Sequence, residues 1–387
     1  MKKQLTLILG MLMLVVLSLP AQKRDVEEKG VRTKSFSVEK GGRFELTTRS
    51  GDVRITPWSK NEVNVTAEGI DDEDLDRLKM TQSGNTVRVD FRPRSSWGGW
   101  DGDQIRFDIS VPADFNVQMK TSGGDLEVMG TINGRIDGST SGGDITLNNV
   151  AGTVDMSTSG GDIKVGDIKG NVELNTSGGD ITLRKVDGEA KVKTSGGDIR
   201  VESVGKKLEA RTSGGDIEIG DVGGEANVST AGGDVKVKKV SGDAKLKTAG
   251  GNINLDGASG KVEAGTAGGD IDLRDITGSI EAKTAGGDIK AELRPSGKGG
   301  SELATAGGII RLAVPENSKV TIEALIRIEG RWGSRKSRYE VKSDFKADSY
   351  EKDEDAEEIR ATYKLNGGGE KIYLTTVNSN IEILKLR

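Results

Sequence analysis

One acid returns every 18 residues. It stands at Asp144, Asp162, Asp180, Asp198, Asp216, Asp234, Asp270 and Asp288, with Asn252 in the one remaining slot, and Asp125 precedes the series. A fixed period of this length is the mark of a repeat architecture, in which each unit is one small supersecondary element. One unit, Thr158 to Asn175, reads TSGGDIKVGDIKGNVELN. Its apolar residues alternate, which is the period of a strand with one buried face. Ile163 and Val165 form one such pair, Val172 and Leu174 a second, and Ile168 lies between them. β-Branched residues at these sites favour strands over helices. Each unit is therefore read as two short strands joined by two turns.

The second apolar pair runs Val172/Leu174, Ala190/Val192, Leu208/Ala210, Ala226/Val228, Ala244/Leu246, Val262/Ala264 and Ile280/Ala282. A small residue at one site is usually matched by a large one at the other. Interiors pack to crystal-like density, so this trade-off is expected of side chains that share one narrow core. The position between them reads Glu173, Lys191, Glu209, Asn227, Lys245, Glu263, Glu281. Stacked units would place these charges about 4.8 Å apart, where opposite signs attract, so the column is read as a solvated face. The expected fold is all-β: a parallel β-solenoid of the β-helix or β-roll kind, with 18-residue coils of two short strands each and a cap at both ends. Caps are required because bare solenoid ends expose unpaired edge groups.

The repeated phrase TSGGD is interpreted by comparing its copies. Thr is constant from Thr121 to Thr305, while the next residue is Ser in the first six copies and Ala in the last five. A serine nucleophile could not be exchanged in this way. The two glycines never vary; glycine reaches φ > 0 and lets backbones approach closely, as a tight corner requires. The acid is once Asn and once, at Ile309, lost. Asp and Asn share an oxygen that accepts from turn amides, so turn capping is the expected role. A phosphate cradle is not expected, because the P-loop spacing is absent and an acid beside the glycines repels phosphate. Calcium is the rival reading of the column Asp144, Asp162, Asp180, Asp198, Asp216 and Asp234. Calcium-binding β-rolls use nine-residue half-turns, and 18 is two of these. Here the acid follows the glycines directly, and only one half-turn of each unit carries it. No other cofactor is expected.

Composition narrows the chemistry. The chain has no Cys and no His, which removes thiol nucleophiles, thiolate metal sites and the commonest general base. The first residues, MKKQLTLILGMLMLVVLSLPAQ, have a basic start and an apolar stretch from Leu5 to Leu19. That stretch falls short of the ~20 residues of a membrane-spanning helix and follows the plan of a secretory signal peptide. Removing it leaves 54 basic against 61 acidic side chains, net −7. A nucleic-acid partner is not expected at this balance, and neither is a membrane span in the mature chain. Apolar content of 33% with 4% aromatics is too lean for one large globular core.

Three other stretches carry candidate binding chemistry. In DDEDLD, Asp72, Asp74 and Asp76 alternate as in an EF-hand loop, but Arg77 and Ser83 stand where its glycine and glutamate belong. A short helix start or loop is expected there. SSWGGWDGD carries Trp97 and Trp100, which could stack on a sugar ring or cover the open end of the core. GRWGSRKSR at Gly330 is a basic counterpart. The expected division is a signal peptide over 1–22, an N-terminal β cap with opening coils over 23–118, the regular solenoid over 119–310, and a C-terminal β cap over 311–387.

The stretches FSVEKGGRFELTTRSGDVRITPW, DISVPADFNVQMKTSGGDLEV, the TSGGDI/TAGGDI series and LNGGGEKIYLTTVNSNIEILK resemble the bacterial β-strand-repeat family of unknown function called putative adhesins. The likeness covers nearly the whole mature chain. It implies an exported β-solenoid and transfers no catalytic residue. The expected function is a non-enzymatic structural or adhesive protein of the bacterial cell envelope, in the periplasm, at the surface or secreted. It would bind a surface, glycan or envelope-protein partner along a lateral face or at a cap loop such as the Trp97/Trp100 segment. The alternatives are a polysaccharide-active β-helix enzyme and an envelope sensor or regulatory partner.

Overall fold

A computed structural model describes residues 31–94, 105–297, 299–329, 338–353 and 357–386. The expected signal peptide, Trp97, Trp100 and most of the GRWGSRKSR stretch lie outside these residues. Among the described residues, the 3-10 turn Leu75–Arg77 is the only helical element and everything else regular is strand. No helix there is long and apolar enough to cross a membrane.

Each regular coil supplies two strands. Ile163–Ile168 lies between Ile145–Val150 and Ile181–Val186, parallel to both, with Ile163 opposite Ile145 and Ile181. Val172–Asn175 lies in the same way between Val154–Ser157 and Ala190–Lys193. The in-register offset is therefore one whole 18-residue unit, and two parallel sheets run the length of the molecule. The fold is an all-β parallel β-solenoid. The inward pairs fill the space between the sheets. Val172 is 4% and Leu174 0% exposed, and Ala190 and Val192 are 3% and 0%. A single apolar core runs unbroken from Phe36 to Ile383. Large-against-small matching keeps its width constant, so neighbouring coils meet without gaps.

Three coils depart from the rule. The step from Asp288 to Ile309 is 21 residues, the extra ones lying between Leu293 and Ser301. Asp125 to Asp144 is a step of 19 residues. The extra residue is absorbed near Gly130, whose φ is +88°, where pairing shifts between Leu147 and Asn149. In the coil containing Asn252 the first strand shrinks to Ile253–Leu255, and Ala258 fills the site held elsewhere by Val or Ile.

The ends are not simply the first and last coils. Asp52–Trp58 is held between Arg106–Pro112 and Leu126–Ile132. Arg43–Thr48 is held between Thr86–Phe91 and Asn116–Lys120. The earliest coil in sequence thus sits one level inside, and later chain is laid over it. The far end repeats the arrangement. Glu370–Val377 lies between Ser301–Thr305 and Val320–Arg327, and Ile381–Lys385 lies between Ile310–Val314 and Val341–Ser343.

Antiparallel strands finish both ends. Arg32–Ser37 pairs with Glu62–Glu68, and Lys79–Ser83 with Thr86–Phe91. At the other end Glu358–Leu365 pairs with Val320–Arg327 and with Ser349–Asp353. The edge strands turn lysines toward the core side: Lys34 opposes buried Val65, and Lys352 opposes buried Ile359. Lys34 Nζ donates to the Met80 carbonyl at 2.9 Å and lies 5.0 Å from the Phe36 ring centre. An inward-facing charge on an edge strand blocks addition of a further strand.

Candidate functional site on the lateral face

The outward positions of the second sheet form a charge ladder. Asp137, Asp155, Glu173, Lys191, Glu209, Asn227, Lys245, Glu263 and Glu281 are in-register neighbours. The stacking places them about one strand spacing apart, about 4.8 Å. Lys191 Nζ meets Glu173 at 2.7 Å, and Lys245 meets Glu263 at 3.3 Å. Lys261, from the flanking column, joins Glu263 at 2.8 Å and Glu281 at 3.1 Å. These pairs are half exposed, where each contributes little to stability. Their effect is to leave a face of closely mixed sign.

That face carries a groove. One section of about 500 Å³ is lined by Arg135, Asp155, Glu173, Glu189, Lys191 and Lys207 among others, and a second of about 240 Å³ continues from Lys207 to Lys261. At its upper end three carboxylates follow one another, Asp137, Asp155 and Glu173. Arg135 reaches Asp137 at 2.6 Å and Asp155 at only 3.9 Å. Burial, then the charges of Glu173 and Asp137, push the Asp155 carboxyl above its ordinary value. The hydrogen bond from Lys191 holds Glu173 below its own. Asp155 is therefore only partly compensated by Arg135. Asp155 and Asp137 lie one and two units before Glu173 in the same outward column. The same period, carried back from Glu173, reaches both.

The TSGGD corner has a different part. Thr158 Oγ1 donates to the Gly143 carbonyl of the preceding coil at 2.9 Å, and the Gly161 amide donates to Thr158 Oγ1 at 3.4 Å. Asp144 Oδ1 accepts from the Asp162 amide at 2.8 Å, and Asp162 Oδ1 accepts from the Asp180 amide at 2.9 Å. The chain of bonds continues through Asp198, Asp216 and Asp234. Asn252 accepts through its own Oδ1 from Asp270, and Asp288 accepts from Ile309. Each side chain thus caps the corner above it. Asn serves equally, because only the oxygen is used. Ile309 serves as the receiving end, because only its amide is used.

The glycines are needed for space and not for φ. Apart from Gly51, at +105°, none of the corner glycines has a positive φ. A Cβ on Gly161 would lie 2.1 Å from the Gly143 oxygen, whereas one on Gly160 would lie 3.4 Å from the Gly142 oxygen.

Of the calcium candidates, Asp144, Asp162, Asp180, Asp198, Asp216 and Asp234 each commit Oδ1 to a neighbouring amide. The second oxygen of Asp198 meets Arg200 at 3.0 Å. Among the described residues no three acidic side chains converge as a metal site would require. In the DDEDLD stretch Asp74 accepts from the Arg94 amide at 3.2 Å and pairs with Arg77 at 3.4 Å, so this acid is committed within the protein.

The family model for Toastrack DUF4097 matches residues 42–222 and again 205–383. The chain belongs to the Toastrack DUF4097 family. The two matches together run from residue 42 to residue 383 and include the whole regular stack. Among solved structures, this Toastrack chain is similar to a putative adhesin from Bacteroides fragilis NCTC 9343. They share 13% identity over 93% of this chain and 98% of that one, with a TM-score of 0.21. A putative adhesin from Parabacteroides merdae ATCC 43184 is 13% identical over 73% of this chain and 95% of that one, with a TM-score of 0.30. A putative lipid binding protein from Parabacteroides distasonis ATCC 8503 is 12% identical over 92% and 97%, with a TM-score of 0.19. At such TM-scores the superpositions carry no further argument. A comparison with curated proteins finds no match.

Proposed function

We propose that this Toastrack protein is an exported, non-enzymatic structural or adhesive rod of the bacterial cell envelope, which binds a glycan, surface or protein partner along its lateral face. The division into signal peptide, opening cap, regular solenoid and closing cap belongs to the same reading, as does the absence of a cofactor. The observation that carries it is the pair of grooves that adjoin at Lys207, one from Arg135 and one reaching Lys261, built by successive coils of one sheet. Repetition at about 4.8 Å offers an extended partner the same kind of contact many times, so weak contacts can add along the axis. The test is capture of envelope glycans and proteins by the full mature chain, beside a Lys207→Glu, Lys261→Glu variant and a variant lacking residues 95–103. Loss of capture in the first variant supports the lateral face. Loss in the second alone moves the site to the Trp97/Trp100 segment. Capture unchanged in both overturns the reading.

A polysaccharide-active enzyme is the second reading, and one observation favours it. Asp155 and Glu173 are in-register neighbours with carboxyls pushed in opposite directions, as an acid and its partner carboxylate would be. Depolymerisation of an acidic glycan by the native protein, abolished in Asp155→Asn, would establish it. No depolymerisation would remove it.

A further inference from the structure

We propose that the level filled by Glu370–Val377 and Ile381–Lys385 is a strand-acceptor slot, and that the same segment of a second copy of this chain can fill it, joining two molecules by exchange of their closing coils. The inference is independent of the adhesive reading.

Both walls of the slot come from earlier chain. The inner wall is Ser301–Thr305 with Ile310–Val314, and the outer wall is Val320–Arg327 with Val341–Ser343. The outer wall does not depend wholly on the closing coil, since Val320–Arg327 is also paired along its length with Glu358–Leu365. The inner wall and the Val320–Arg327 half of the outer wall thus have other support, while Val341–Ser343 pairs with the closing coil alone.

What holds the segment lies between it and the walls, not within it. Ile372, Leu374, Ile381 and Ile383 are 0–1% exposed and fill the core at this level. Thr376 Oγ1 donates to the Gly308 carbonyl at 2.8 Å, repeating the corner bond of the regular coils. Asn380 Oδ1 accepts from the Glu340 amide at 3.1 Å, and Glu382 meets Arg311 at 2.9 Å. A second copy brings the same side chains in the same order, so exchange conserves every one of these contacts. Only the tether changes.

On its near side that tether is the run Asn366–Gly367–Gly368–Gly369, with φ of +50° at Asn366, +87° at Gly367 and +81° at Gly368. It carries the chain from one flank of Val320–Arg327 to the other. Three glycines make a hinge that can extend at little steric cost, and exchange of an identical element about a short hinge is a low-cost route to a dimer. The complementarity of Glu382 with Arg311, and of the buried side chains with the slot, selects this segment as occupant.

The test exploits the absence of cysteine from the chain. Glu302 and Tyr373 are in-register neighbours across the inner boundary of the slot, both exposed on the outer face. Full chains carrying Glu302→Cys or Tyr373→Cys, differently tagged, are mixed unfolded, refolded together at increasing concentration and oxidised. A disulfide-linked heterodimer is expected, its fraction rising about tenfold over a tenfold range of concentration while the yield is low. Chains mixed after folding should give none. No heterodimer at any concentration, while the double variant closes its disulfide within one chain, overturns the proposal. As a second readout, the unmodified chain refolded at the same concentrations is sized by light scattering. A persistent, native-spectrum dimer supports exchange, and monomer alone refutes it.

Discussion

Replacing Gly161 with Ala, beside the same change at Gly160, separates two reasons for a glycine corner. A Cβ at 161 would sit 2.1 Å from the Gly143 oxygen and 2.5 Å from its carbon. Ordinary contact is near about 3.5 Å, so the coils must part locally by more than about 1 Å. The atom that must retreat is the carbonyl that accepts from Thr158 Oγ1 at 2.9 Å. Overpacking of this kind costs about 1–3 kcal/mol, and loss of a buried hydrogen bond adds about 1 kcal/mol. Gly161→Ala should therefore destabilise by about 2–4 kcal/mol. At Gly160 the Cβ meets the Gly142 oxygen at 3.4 Å and φ is not positive. The alanine there should be near neutral, offset by about 0.4–1 kcal/mol from a stiffer unfolded chain. Urea unfolding gives the global difference, and hydrogen exchange at the amides of Asp144, Asp162 and Asp180 places it. Global unfolding of a repeat array need not be two-state, so the exchange data decide. If the two variants lie within about 0.5 kcal/mol of each other, interstrand approach is not why these glycines are present.

Asp198→Asn should keep stability close to that of the native chain. Asp198→Ala should lose about 1–2 kcal/mol, because only Ala removes the oxygen that accepts from the Asp216 amide at 2.9 Å; thermal melts compare the two. Melting of the native chain in calcium and in chelator should coincide, and a shift would revive the calcium column. Asp155 has a raised carboxyl pKa in the fold, so its ionised form is disfavoured there and its cost is present at neutral pH. The advantage of Asp155→Asn in melting temperature should therefore be largest near pH 7 and vanish as pH falls through the raised folded value toward the ordinary carboxylate one. Excision of residues 162–197, two whole units, should leave a shorter molecule that still unfolds cooperatively by circular dichroism, because Gly161 then meets Asp198 in register. Lys352→Val should give concentration-dependent association in sedimentation, since it removes the inward charge opposite Ile359 that guards the edge.

Much of this fold is legible in one unit of sequence. The alternation at Ile163/Val165 and Val172/Leu174 specifies strands, and the shared core is written in pairs such as Ala190/Val192. The single Asp-to-Asn exchange at 252 already tells an acceptor from a charge. Whether glycine was needed for φ or for room was not legible, since both demands select the same residue. The order of levels at the ends was hidden for another reason. Ser50–Gly51–Asp52 and Thr376–Asn380 carry recognisable coil signals, but local pattern states that a coil exists and not which neighbours it lies between. That choice is made by long-range pairing, where Arg43–Thr48 accepts Thr86–Phe91 on one side and Asn116–Lys120 on the other. The groove was also obscured, because its charges alternate in sign and read as ordinary solvated surface until the columns are set side by side.

The overlaid ends bear on how the rod can be undone. A stack whose first and last turns lay bare would ravel like a cut rope, one turn at a time from either tip. Here each tip is whipped: Arg43–Thr48 and Asp52–Trp58 at one end, and Glu370–Val377 and Ile381–Lys385 at the other, are clamped under a turn that belongs to the interior of the sequence. A protease or a pulling force must lift a whole hairpin before it can free a single coil, so the stack is armoured where simple solenoids are weakest.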